Sequence, residues 1–371
     1  MALSFFDSVG YKEAVQTIAY RLEAATKREV DVFGDTWYRK HFKWNDIQHT
    51  SADFNTILGQ LNLAIAASTI DKNSKEPVRS LDGLKEIAQK AFTYAHTYRV
   101  EAEDLRKIAI MQKLYSDNAQ VKKLILETLW NVTEKAVKGV EARIDNIVLG
   151  SLSNGGSYTF TEQDDPYSPF IGHTIDFGMP TENKGTVGAG NEWTDANKAT
   201  VDVLKEIDQV CRMAVMPIER ILLNRKQMNY IRDNAALKTV IFGSDKSGSY
   251  LTEAVLNDWA KSQGLPIFEV VEKKIRVQNG DQISVVEPWA DGKLLFAPSN
   301  DFGTIESMIS DKDLLSGDAG VSYSNYGKIE VAKWEQGVKE GTHHTEFTKA
   351  SVTAIHSIKD IDAMYVLDVL K

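Results

Sequence analysis

The chain has 371 residues, is 43% hydrophobic and 26% charged, and carries a formal net charge of −9 with one cysteine. That is ordinary composition for a globular protein of two or three domains, or of one elongated body with insertions. The single cysteine excludes an intramolecular disulfide framework, the acidic balance without a dense basic block argues against a sequence-specific nucleic-acid binder, and no run of 18 uncharged apolar residues is present to span a membrane.

The opening MALSFFDSVGYKEAV lacks a basic region followed by a long apolar run, so no signal peptide is expected. Residues 3–30 read as an amphipathic helix. Residues 31–56 are rich in aromatics, including Trp37, Tyr38 and Trp44. They fit either an extended segment packed on a body or an anchor against a neighbouring subunit, where aromatics are enriched. LNLAIAAST (61–69) reads as a strand, a polar excursion with turn residues follows, and AFTYAHTYRVEA (91–102) reads as the returning strand. Together they predict an extended hairpin-like arm.

A short helix near 103–115 precedes the longest periodic segment in the chain. From 118 to 152 there is no proline, and Val121, Leu124, Ile125, Leu129, Val132, Ala136, Val137, Val140, Ile144, Ile147 and Val148 recur at spacings of three and four. At 1.5 Å per residue this predicts a rod of about 50 Å. The heptad repeat is imperfect and Gly139 interrupts it, which favours a brace over a coiled coil. Residues 153–193 read as loops and short strands. A helix over 196–215 follows with Thr194 as its N-cap. Then come a buried strand (217–224), helices over 225–237 and 251–263, and strands in IFEVVEKKIRV, QISVVEPW and KLLFAPS, separated by turns at Asn279-Gly280-Asp281 and Asp291-Gly292. Residues 328–334 and 349–370 are strand-like.

No catalytic constellation emerges. GTVGAG (185–190) and GSDKSGS (243–249) miss the phosphate-loop spacing, and no serine sits in a nucleophile elbow. His343-His344-x-Glu346 is the most metal-like cluster, but adjacent histidines on a strand point to opposite faces, so a structural role is expected. Cys211 lies on an apolar helix face and reads as an inert thiol. No cofactor or metal is expected.

A family resemblance enters at IFEVVEKKIRVQNGDQISVVEPWADGKLLFAPSNDFGTIESMIS (267–310). Its strand with Val-Glu-Lys, then Pro-Trp-x-Asp-Gly-Lys-x-x-Phe-x-Pro and Gly-Thr-Ile-Glu, resembles the tailed-bacteriophage major capsid proteins of the lambda major head protein type. MPIERILLNRKQMNYIRDN resembles the strand and helix that open the same region. The resemblance implies an α+β, HK97-like capsid fold. On it, 1–59 is the N-terminal arm and helix, 60–99 the E-loop hairpin, 100–194 a peripheral domain with the spine helix, 195–310 the axial domain, and 311–371 a return to the peripheral domain through VAKWEQ and MYVLDVL.

The implied function is a structural, non-enzymatic head protein. It would assemble with itself into hexamers and pentamers of an icosahedral shell around phage double-stranded DNA. Implied partners are a separate scaffolding protein, a portal protein and the packaged DNA, held by nonspecific proximity, with no membrane involved; whether a decoration protein binds is left open. The shell would be assembled in the host cytoplasm. Some relatives crosslink an E-loop lysine to a neighbour's asparagine; Lys72, Lys75 and Lys85 would sit on such an arm, with solvated surface lysines as the plainer reading. Trp37, Tyr38, Trp44, Lys72, Lys75, Arg79 and Lys85 are the assembly candidates. Two alternatives stand beside this reading: an encapsulin-like nanocompartment shell, and a soluble enzyme with an elongated helical domain.

Overall fold

A computed structural model describes residues 20–22, 24, 36–51, 53–57, 86–114, 119–198, 200–244, 248–315, 317–318, 320–337 and 345–371. In chain order the elements are β1 (Phe42–His49), β2 (Asp53–Ile57), β3 (Glu86–Lys90), β4 (Phe92–Val100), α1 (Ala102–Leu114), α2 (Ala119–Ser153), β5 (Ser157–Thr159), β6 (Thr174–Asp176), β7 (Lys184–Thr186), α3 (Val203–Met213), β8 (Arg220–Leu223), α4 (Arg225–Asp233), α5 (Ala235–Phe242), α6 (Glu253–Ser262), β9 (Ile267–Val270), β10 (Ile275–Asn279), β11 (Gln282–Val286), β12 (Lys293–Ala297), β13 (Gly303–Met308), α7 (Asp311–Leu315), β14 (Ser322–Tyr326), β15 (Ile329–Gln336), β16 (Thr345–Ile358) and β17 (Tyr365–Asp368). The expected rod is present as α2, and the helix expected near 103–115 is α1.

The chain divides into two compact units. Unit 1 gathers residues 1–54, 89–145 and 305–356. Its centre is a six-stranded sheet in the order β1-β13-β16-β15-β14, with β4 also paired to β16. β16 is the hub: Ala350 stands between Val331 of β15 and His96 of β4, and Thr348 between Lys333 and Tyr98. Alternation along β15 and β16 buries Ile329, Val331, Ala350 and Val352 on one face. The α2 backbone approaches this sheet face closely, because a Cβ on Gly139 would stand 2.5 Å from His96 Nδ1. The glycine that weakens the helical pattern is therefore what admits the imidazole.

Unit 2 gathers residues 55–88, 146–304 and 357–371. Its sheet runs β7-β17-β12-β8-β9, antiparallel at β12 and parallel at the β7 and β9 edges. Ile221, Leu223, Leu294, Phe296 and Leu367 of the strands form one core with Val203, Ile207 and Val210 of α3, Met228 and Ile231 of α4, and Leu256 and Ala260 of α6. The intervening residues Leu222 and Leu295 are also fully buried, so the strands are covered on both faces.

Local chemistry moves several expected boundaries. The helix expected over 196–215 begins only at Val203, because Asp202 rather than Thr194 is its N-cap and accepts from the Lys205 N–H at 3.1 Å. The helix expected over 225–237 is two helices, broken at Asn234, whose side chain caps α5 by accepting from the Leu237 N–H at 2.9 Å. VAKWEQ and MYVLDVL were expected to return to one body, but β15 joins the β16 sheet and β17 joins the β12 sheet. Four-residue β17 is buried along its length and apolar up to Asp368, whose carboxylate accepts from Lys293 Nζ at 2.6 Å, which suits a strand covered on both faces. Leu124, expected on the buried stripe of the rod, is 49% exposed, whereas Ala136, Val137, Val140, Ile144, Ile147 and Val148 are buried.

Candidate functional site

The aromatic segment at 36–49 is fastened to α2 by two acids one helical turn apart. Asp145 is fully buried, and its carboxylate accepts the Trp37 N–H at 3.1 Å and the Tyr38 N–H at 2.8 Å. It thereby satisfies the free donors at the start of the short helix Tyr38–Lys40, as an N-cap would, from a residue distant in sequence. Glu141, on the same helix face, receives the Arg39 guanidinium in a fork, with Nη2 at 2.5 Å and Nε at 3.2 Å. That guanidinium lies 5.0 Å from the centre of the Tyr326 ring and 5.6 Å from that of Tyr38.

Burial first, and the Glu141 charge second, push the Tyr38 phenol well above its ordinary value. Its hydroxyl stays protonated and accepts from Trp44 Nε1 at 3.2 Å. The rings of Tyr38 and Trp44 meet edge to face. Further along the segment, Asn45 Nδ2 donates to Glu306 of β13 at 2.8 Å, and His49 Nε2 stands 3.2 Å from the same carboxylate.

Among the assembly candidates, the structure brings Trp37, Tyr38 and Trp44 together at this anchor. Trp37 and Tyr38 are buried within the subunit and Trp44 is half-buried. Lys72, Lys75, Arg79 and Lys85 lie outside the described residues, as do the strand expected at 61–69 and His343 and His344. The described part of the arm is a two-stranded sheet of β2 and β3, so the hairpin's described ends are at 57 and 86.

Sequence reasoning missed Glu141 and Asp145. The signal was two acids at i and i+4 inside the apolar register of Val140, Ile144 and Val148, since a carboxylate on a buried helix face needs a donor close by.

Cys211 is half-buried, and burial first, then Asp208, raises its thiol to about 11, which suits an inert side chain. Among the described residues no group of His, Cys, Asp and Glu could hold a metal ion, and no helix is long and apolar enough to cross a membrane.

A mixed sheet packed against helices, the 35-residue helix α2 and the two-stranded sheet of β2 and β3 make up an α+β fold. The fold agrees with that of a protein assigned as the capsid protein of an Escherichia coli CFT073 prophage: TM-score 0.56, 12% identity, with 94% of this chain and 98% of that chain covered. A phage-related protein from Bordetella bronchiseptica RB50 is similar at TM-score 0.47 and 12% identity, covering 96% and 97%. The capsid of the Myoviridae phage XM1 is similar at 0.45 and 12%, covering 90% and 91%. No curated protein matches the sequence.

Residues 33–341 match the family of phage major capsid protein E, and the chain belongs to that family. It has the HK97-like capsid fold, is a structural head protein rather than an enzyme, self-assembles into a shell and resides in the virion.

Proposed function

We infer that the chain builds the hexamers and pentamers of an icosahedral head that encloses phage double-stranded DNA. The family match over residues 33–341 carries this reading. It also favours a viral shell over a cellular nanocompartment. A scaffolding protein guides assembly in the host cytoplasm, a portal protein occupies one vertex, and a decoration protein binds the outer surface. In domain terms, 1–59 serves as arm, 60–99 as E-loop, 100–194 as the spine-bearing peripheral part and 195–310 as the axial part, with 311–371 divided between β15–β16 and β17 as their sheets are divided.

Closed rings of identical subunits need head-to-tail contacts. An arm and hairpin laid over a neighbour bury area without enlarging the core, and permanent interfaces exceed roughly 2,000 Å² in this way. Within the arm, Lys72, Lys75, Arg79 and Lys85 are the direct assembly contacts. Trp37, Tyr38 and Trp44 act through the anchor on α2, which fixes where the segment leaves the subunit.

Electron microscopy of the purified chain, alone and with its scaffolding partner, tests the reading. Closed shells, tubes or capsomer rings are expected, and DNA rather than protein cargo in particles from infected cells. A compact monomer or dimer under both conditions would overturn it.

A further inference from the structure

The two edges of the unit 2 sheet are finished differently. At the β9 edge, Asn257 of α6 closes the strand: its Nδ2 donates to the Phe268 carbonyl at 2.9 Å and its Oδ1 accepts the Phe268 N–H at 2.7 Å. A side-chain amide thus occupies the ladder position that a further strand would use. At the β7 edge the Val187 N–H donates to the Asp368 carbonyl, and residues two apart on a strand turn their backbone groups to the same side. Gly185 and Val187 therefore face β17, while Lys184 and Thr186 face outward. The Lys184 N–H bonds back to the Thr181 carbonyl. The Lys184 carbonyl and both backbone groups of Thr186 remain directed outward, on a strand whose three residues are all exposed.

This edge is held in place. Asn183 beside it is buried and donates to the carbonyls of Asp362 at 2.7 Å and Met364 at 3.0 Å. Next to the edge lies a cavity of about 70 Å³ bordered by Glu182, Thr186, Glu206, Val210 and Met213. Met213 is 54% exposed.

The same unit carries a second open ladder. β10 and β11 form a hairpin closed by Gly280-Asp281, with Asn279 opposite Gln282. Gly280 has φ 58° and Asp281 is not in the left-handed region, so the turn is type II′, with glycine at its first central position. The closing pair of such a hairpin is hydrogen-bonded, and the pairs alternate from there. Ile283 and Val285 therefore turn their backbone groups away from β10. Their side chains are 55% and 62% exposed, and exposed Arg276 stands opposite Val285 on the same face. Exposed β-branched residues on the free edge of a two-stranded sheet mark a sheet that is completed by another strand.

The geometry points to strand addition between copies: β11 of one subunit pairs along β7 of the next, joining the hairpin to the neighbour's five-stranded sheet. The occupant is a second copy because the chain belongs to a shell-forming family, and the inference rests on that reading. The two edges are different surfaces of one chain, so the contact is head-to-tail and repeats around a ring. Charge agrees: acidic Glu182 and Glu206 border the β7 groove, and Arg276 accompanies β11. The blocked β9 edge leaves β7 as the one end of that sheet, among the described residues, where the ladder continues.

The test uses assembled full-length chain in a Cys211→Ala background, with Thr186→Cys combined with either Ile283→Cys or Val285→Cys. Under mild oxidation, shells are expected to lose most of their monomer band to disulfide-linked oligomers on a non-reducing gel, while unassembled subunits and single-cysteine controls keep it. Thr186→Pro, which removes the outward donor, is expected to lower shell yield at least tenfold with the melting temperature of the free subunit unchanged. Intact shells that retain the monomer band with both cysteine pairs, or a normal yield from Thr186→Pro, would overturn the strand pairing alone. A wild-type chain that forms no shell in the same preparation would overturn the shell reading as well.

Discussion

The two large sheets of this protein are held by different forces. In unit 2, consecutive strand residues such as Ile221 and Leu222, or Leu295 and Phe296, are all fully buried. Stabilisation there is apolar burial on both faces, at about 25 cal/mol per Å² and without direction. In the β16 sheet, buried and half-exposed positions alternate, and the buried face itself changes character along the strand. It is apolar at Val331, Ala350 and Val352, and polar at Lys333, Thr348 and Glu346. The segment beside it is fixed by Asp145, Glu141 and Glu306, each accepting from named donors. Apolar burial tolerates rearrangement of shape, while directional polar contacts specify one arrangement and fail sharply when one partner is lost.

The sharpest test of that contrast is Lys333, whose amine meets no hydrogen-bond acceptor among the described residues and feels the charge of Glu346. Both residues are buried, and burial lowers the Lys333 pKa while the Glu346 charge partly offsets it. Lys333→Met removes the charge that attracts Glu346 across the buried face and is expected to cost about 1–3 kcal/mol in urea unfolding, whereas Lys333→Met combined with Glu346→Gln is expected to recover most of that loss. The sign with pH follows from the lowered amine: the unfolded chain binds the extra proton, so stability rises with pH up to about 10.4, the unfolded value. Additive costs in the double variant would show that the two groups do not interact. In unit 2, Leu295→Ala is expected to cost about 2–5 kcal/mol by leaving a cavity, with no partner substitution able to restore it. A loss below about 1 kcal/mol would mean that the site collapses freely, and the contrast would weaken.

The same difference governs what the sequence could disclose. Apolar runs such as RILL and KLLFA were readable as buried strands, and the spacing of α2 as a long helix, because burial leaves a compositional trace. The resemblance at 267–310 then supplied the fold that periodicity alone could not. What was illegible is directional. Nothing local marks Asp202 over Thr194 as the cap, since both are good N-cap residues and the choice depends on where the Lys205 N–H points. Asn234 breaks a helix because its Nδ2 also reaches the Val201 carbonyl, far away in sequence. Leu124 fits the apolar stripe yet is exposed, because a stripe states which face could be buried and not how far the covering layer extends. For the assembly candidates, composition singled out aromatics and basic residues as a group, but gave no way to separate Tyr38, which is enclosed within its own subunit, from a residue that meets a neighbour.

A smaller effect probes the meeting of α2 with the sheet. Alanine is the better helix former by about 1 kcal/mol, so Gly139→Ala would stabilise an isolated helix. Here the new Cβ would stand 2.8 Å from His96 Cγ and 3.2 Å from its Cβ, so the whole side chain has to move. A net loss of about 1–3 kcal/mol is expected from overpacking, and His96→Ala in the same chain is expected to restore the benefit of alanine. Stabilisation by Gly139→Ala alone would show that the close approach is not a constraint.

The last effect expected is a slope. His356 is buried against Phe42, and burial lowers its pKa from 6.5 to about 3. Between those values the unfolded chain binds a proton that the folded chain refuses, so stability falls as pH drops below about 6.5, by at most about 1.4 kcal/mol per pH unit for one proton. Carboxylates add their own acid dependence, so the informative quantity is the difference in slope between wild type and His356→Asn from pH 6.5 to 4. A shallower slope in the variant is expected. Parallel slopes would mean that His356 is protonated in the folded state, and that even the apolar end of the β16 sheet admits a charge.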